Sequence, residues 1–140
     1  MATRHHIIRI AAPRATVFET IADVASHHRW QKGLLRSECG ENARSVGARG
    51  AEVRRMLGRE IRFPYEITVY EPPARWGFRA IGGPIRPEAV IELHADNEGT
   101  RVESKLTVRG ALGWLVIGSM VRQQQRNYAE LKRLLEAAPR

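Results

Sequence analysis

The sequence predicts an α+β chain in which a curved antiparallel sheet of about seven strands wraps a long C-terminal helix, with two short helices after the first strand. Two observations carry this. Residues 61–69 and 102–108 alternate strictly between apolar and polar side chains, which puts one face of each strand in a core. Residues 112–137 repeat apolar side chains at helical spacing and contain no proline before the end.

The elements follow in order. "HHIIRIAA" reads as a first strand stopped by Pro13, and Pro13 suits the first turn of a helix. That helix carries Val17, Phe18, Ile21 and Val24 at helical spacing, with Thr16 and Glu19 at capping-box distance. Asp23 is placed to cap a second short helix through "VASHHRW". The weaker runs "LLRSECG" and "GARGAEVRRML" add two strands. In "REIRFPYEITVYE" the inward set is Ile61, Phe63, Tyr65, Ile67 and Val69, with Arg62, Glu66 and Thr68 outward. Trp76 and Phe78 share a face, as do Ala89, Ile91 and Leu93. In the last strand Val102, Ser104, Leu106 and Val108 point inward, with Arg101, Glu103, Lys105 and Arg109 outward. Gly58, "EPP" at 71–73, "GGP" at 82–84 and "DNEG" at 96–99 mark turns, and short turns between such strands mean antiparallel pairing. On the closing helix Trp114, Ile117, Val121, Tyr128, Leu131 and Leu135 form one stripe, while Leu115, Val116 and Met120 lie off it.

At 140 residues the chain reads as a single domain, 1–140, large enough for a core without staples. One cysteine, Cys39, leaves no intramolecular disulfide and no four-cysteine zinc site. No signal-type run opens the sequence, and no window reaches the roughly 18 apolar residues of a membrane span, so a cytoplasmic protein without stable membrane insertion is expected. The net charge of +8 raises nucleic acid as a partner. Yet only three of the 23 basic residues are lysines, and the arginines are spread along the chain without a basic run. Solvated sheet faces explain that distribution better, and no nucleic-acid partner is expected.

Catalytic signals are sparse. His27 and His28 are adjacent, so on a helix they point about 100° apart and cannot both grip one metal. His5 and His6 alternate to opposite faces of a strand, and His94 falls on a polar side beside Glu92. No metal and no cofactor is expected. His27 and His28 read as rim residues, with imidazole acid–base chemistry left open. Glu38, Glu52 and Glu66 could act as general acids only if buried, and Glu66 alternates outward. "GGP" lacks the lysine and helix of a phosphate loop, and Cys39 has no recognisable companion.

The order of elements, with "APRATVFETIADVASHHRWQKG" early, "GGP" after the aromatic strand, "GTRVESKLTV" late and a closing "LKRLLE", resembles the polyketide cyclase/dehydrase branch of the START-like (SRPBCC) superfamily. The resemblance covers essentially the whole chain and implies a helix-grip fold with an apolar cavity between sheet and helix. It implies binding of a hydrophobic or aromatic small molecule, lipid- or polyketide-like. The residues expected to line the cavity are Trp30, Phe63, Tyr65, Ile67, Trp76, Phe78, Ile91, Ser104, Leu106, Ile117 and Val121. Ser104 and Tyr65 bring hydroxyls to an otherwise apolar wall, the composition of small-molecule sites. Ile117 and Val121 belong, by the resemblance, to the half of the helix that roofs the pocket. A cyclase or dehydratase with one acid–base group is the alternative, although no catalytic motif requires an enzyme. A third reading uses the apolar start of the C-terminal helix to meet a protein partner or a second copy in a homodimer.

Overall fold

Alternation becomes seven antiparallel strands in the computed structural model, which describes residues 2–40, 43–56, 58–83 and 85–137. Strand β1 (Ala2–Ile10) leads into helix α1 (Arg14–Ala22) and a 3₁₀ segment (Val24–Arg29). Strands β2 (Leu34–Cys39), β3 (Arg49–Met56), β4 (Arg59–Glu71), β5 (Arg75–Ala80), β6 (Arg86–Asp96) and β7 (Gly99–Arg109) follow, and helix α2 (Gly113–Ala137) closes the chain. The sheet order is β1-β7-β6-β5-β4-β3-β2, every pairing antiparallel, so the first strand returns beside the last and β1 and β2 form the edges. The curved sheet grips α2, as the helix-grip expectation requires.

Helix α1 starts with Pro13 at its N-cap rather than inside the first turn, and neither Thr16 nor Asp23 makes a side-chain cap. Instead the Thr20 hydroxyl donates to the Thr16 carbonyl at 3.0 Å, and Ser26 donates to the Asp23 carbonyl at 2.9 Å. Burial of Val17, Phe18, Ile21 and Val24 holds this segment against the open end of the sheet. The Thr100 hydroxyl donates to the Ala12 carbonyl at 2.8 Å and ties the β1–α1 corner to β7.

Two expected faces change. In β4 a bulge falls between Ile67, opposite Phe78, and Val69, opposite Gly77. The extra residue flips the parity of the strand. Tyr70 instead of Val69 joins the core, its ring edge-on to Phe18 at 5.6 Å. At the other end of β4, Ile61 is exposed, because the strand runs past the core there. On α2 the stripe holds from Ile117 to Leu135, but Trp114 is 69% exposed. The helix touches the sheet at this turn through the backbone of Gly113, where a Cβ would come within 2.7 Å of the Val108 carbonyl oxygen. That contact leaves the Trp114 indole outside. Val116 and Met120, expected off the stripe, pack against Ala89, Leu106, Val108 and Ile117.

The outer face of β3 gives two of the arginines a structural role. Ala51 and Val53 are buried there, at 0% and 3% exposure. Arg62 of β4 reaches across to Glu38 of β2 (3.3 Å), and Arg36 of β2 reaches Glu60 of β4 (3.7 Å). These pairs span β3, and their aliphatic stems roof its small apolar residues. Among the described residues no helix is long and apolar enough to cross a membrane.

Candidate functional site between sheet and helix

The inner wall is a row of aromatic rings in contact. His6 on β1 stacks on Tyr128 of α2 at 5.8 Å, and Tyr128 stacks on Trp30 at 6.0 Å. Trp30 meets His27 at 5.1 Å, and His27 meets Trp76 of β5 at 5.7 Å. Trp76 then contacts Phe78 at 5.6 Å, and Phe78 contacts Tyr65 of β4 at 6.5 Å. Each position has a local cause. Alternation puts His6 on the face of Ile8 and Ile10, Trp76 on that of Phe78, and Tyr65 on that of Ile67. Gly50 on β3 makes room for Tyr65, since a Cβ there would lie 2.6 Å from its hydroxyl.

This wall carries polar atoms that the protein leaves unpaired. His6 Nε2, His27 Nδ1, Trp30 Nε1, Trp76 Nε1 and Ser104 Oγ are buried with no hydrogen-bond partner. Buried polar groups are nearly always satisfied, because each unmade bond costs about 1–3 kcal/mol. Four of the five belong to the rings in that row, and Ser104 stands beside Tyr128. The two indole N–H groups can only donate. Ser104 stands on β7 between Val102 and Leu106, which belong to two different apolar clusters. Beside it, burial pushes the Tyr128 phenol up to about 12, so its hydroxyl stays protonated.

A charged group closes the β3 side. His27 is 2% exposed and its Nε2 donates to the Ile21 carbonyl at 2.5 Å, which fixes the ring. Its Nδ1 faces Glu52 Oε1 at 4.0 Å, beyond hydrogen-bond range. Arg54 donates to Glu52 at 2.5 Å and to the Gln31 side chain at 2.6 Å. Burial pushes the Glu52 carboxyl up, but His27 and Arg54 outweigh it and hold the group below its ordinary value. Burial also pushes the Tyr65 phenol far up, helped by the neighbouring Cys39 thiol at 3.7 Å and the charge of Glu52. Among the described residues no three His, Cys, Asp or Glu side chains are grouped to hold a metal.

Of the residues expected to line a cavity, Trp30, Tyr65, Ile67, Trp76 and Ile91 gather in one buried cluster. Leu106, Ile117 and the half-buried Val121 gather in a second, and Phe78 touches both. Ser104 lies between the clusters on β7, and Phe63, half-buried, pairs with Glu52 on the same face. Sequence reasoning placed both histidines of the pair at a rim. His28 is exposed, its Nδ1 at 3.1 Å from the Ala25 carbonyl, but His27 is interior. His6 was missed, and Glu52, allowed as a general acid only if buried, lies inside with 15% of its side chain exposed. Parity with Ile8 and Ile10 could have found His6. Parity misleads in β3, where the apolar Ala51 and Val53 lie outside and Glu52 and Arg54 inside. A separate open depression of about 300 Å³, lined by Thr20, Arg29, Leu134, Leu135 and Ala137, shares none of the unpaired atoms.

Known proteins share this architecture. The family model described as polyketide cyclase / dehydrase and lipid transport matches residues 1–136. No curated protein sequence matches the chain. Among solved structures, Ara h 8.0201 superposes with a TM-score of 0.82 at 12% identity, covering 98% of this chain and 99% of its own. A START superfamily protein from Mycobacterium smegmatis gives 0.77 at 11% identity, covering 96% and 97%. The di-domain ARO/CYC BexL from the BE-7585A biosynthetic pathway gives 0.76 at 19% identity, with 95% of this chain matching 46% of that one. At these identities the likeness is one of fold.

Proposed function

Because the chain belongs to the polyketide cyclase / dehydrase and lipid transport family, we propose that it binds a hydrophobic, ring-bearing small molecule between the sheet and α2. The observation that supports this reading is the contiguous aromatic wall with its unpaired buried polar atoms. Rings supply broad apolar contact, and a few fixed polar groups supply orientation. Trp30 and Trp76 donate, so the molecule presents acceptor oxygens to them, and Ser104 reads a third polar point from β7. Ile117 and Val121 cover the aliphatic end.

A catalytic reading rests on a separate observation, the interior His27–Glu52 pair. With Nε2 engaged by Ile21, Nδ1 is the ring atom free to exchange a proton with a bound molecule, and Glu52 stabilises the charge that develops on the ring. A cyclase or dehydratase would use that pair with the wall imposing the substrate's conformation.

Native mass spectrometry of gently purified protein tests the binding reading, with a co-purifying small molecule of discrete mass as the expected result. Protein that stays ligand-free and takes up no aromatic probe overturns it. The two readings part on turnover: Glu52→Gln leaves the affinity of a binder within a few-fold but removes at least tenfold of an enzyme's rate.

A further inference from the structure

The basic residues are not distributed evenly in their pairing. On the sheet, Arg9, Arg62, Arg75, Arg79 and Arg109 each bind a carboxylate. Between Glu103 and Glu130 the chain carries no acidic residue at all, while Lys105, Arg109, Arg122 and Arg126 fall in that stretch. Among the described residues, Arg122 and Arg126 meet no carboxylate, nor does Arg86, whose guanidinium donates to the Gly83 carbonyl at the same end of the sheet.

The same helix half holds the largest exposed apolar side chains of α2. Trp114 is 69% exposed, Leu115 57%, and Leu112 just before the helix 44%. Residues 114, 118 and 122, and 115, 119, 122 and 126, are three or four apart and all exposed, so they share one face. That face reads apolar at its start, small at Gly118 and Ser119, and cationic at Arg122 and Arg126. Gly118 is overlain only by Arg122, whose guanidinium lies 3.7 Å from where a Cβ would be. Tryptophan and leucine followed by unpaired arginines, with no acid between, is the composition of helices that lie in a lipid interface. A second copy of this chain would instead set two such cationic faces against each other.

We propose that the face formed by Leu112, Trp114, Leu115, Arg122 and Arg126 docks the protein reversibly on an anionic lipid surface. The indole and two leucines enter the headgroup boundary, and the arginines meet lipid phosphates or carboxylates. This does not depend on what the interior binds.

Vesicle co-sedimentation tests it, with phosphatidylcholine mixed with phosphatidylserine compared against phosphatidylcholine alone. The protein is expected to bind the mixed vesicles, to release them in high salt, and to ignore the neutral ones. Arg122→Gln and Arg126→Gln each lower binding about fivefold. Trp114→Ser with Leu115→Ser removes it, with an unchanged thermal melt because both side chains are more than half exposed. Equal binding to both vesicle types, or mixed-vesicle binding that survives the double substitution, overturns the proposal. So does a wild-type dimer that ignores vesicles and becomes monomeric in the double variant, since a second copy then covers the face.

Discussion

His6 and Glu52 are two groups of the inner wall that answer to acid. Burial lowers the His6 imidazole below its ordinary 6.5, so folding favours its neutral form. Glu52 is held below its ordinary 4.5, burial being outweighed by His27 and Arg54. Both folded-state values lie below the unfolded ones. Each contribution is therefore complete above the unfolded value and lost as pH falls through the folded one. Thermal melts across pH are expected to drop in two stages, the first beginning near pH 6.5 and the second near pH 4.5. His6→Phe, which keeps a ring against Tyr128, removes the first stage, and Glu52→Gln weakens the second, which Glu66, Glu130 and Glu136, held low by Arg79, Arg133 and Lys132, share. Melts that stay parallel to wild type in both variants refute the assignment. A neutral residue gives a control in the same corner: Thr100→Val leaves the buried Ala12 carbonyl without its donor and costs about 1–3 kcal/mol in denaturant unfolding.

At the scale of elements, α2 is two helices in energetic terms. Leu131 is 0% exposed in the main cluster, whereas Leu115 on the same helix is mostly in solvent. Leu131→Ala is expected to cost about 2–5 kcal/mol and Leu115→Ala less than about 0.5. Chemical denaturation of the pair checks this, and equal losses would contradict the packing. Local alternation is a sufficient guide where one face meets the core and the other meets water, as in β6, β7 and the stripe from Ile117 onward. It failed where another force decided the face. A bulge moved Tyr70 in and Val69 out, and a backbone contact at Gly113 left Trp114 outside. Cross-strand ion pairs buried Ala51 and Val53 on the convex side of β3, and so put Glu52 inside. Bulges, close backbone approaches and ion pairs across strands depend on partners distant in sequence, and local alternation does not encode them.

For the whole molecule, the net charge of +8 is the excess of 23 basic over 15 acidic residues, and the scatter of the arginines along the chain leads us to expect no nucleic-acid partner. A salt titration is expected to show no sub-micromolar, steeply salt-dependent binding of DNA or RNA, and finding it would reverse that conclusion. The candidate site also spans elements. Ile117, 4% exposed, packs beside Leu106 and Ala89, and on the proposed binding reading it would border the ligand. Ile117→Trp is expected to weaken uptake of a fluorescent aromatic probe at least tenfold, at a stability cost of about 1–3 kcal/mol from overpacking. Unchanged uptake in the folded variant would move the site away from this helix.

The three tryptophans make the central claim directly measurable, because each indole N–H gives its own resonance in a proton–nitrogen correlation spectrum. Trp30 and Trp76 carry the unpaired buried donors, and Trp114 lies on the outside of α2. Titration with anilinonaphthalene sulfonate is expected to shift the Trp30 and Trp76 indole signals together, downfield as they gain an acceptor, and to leave Trp114 in place. A saturating titration that moves only Trp114, or none of the three, would contradict a ligand site on the aromatic wall.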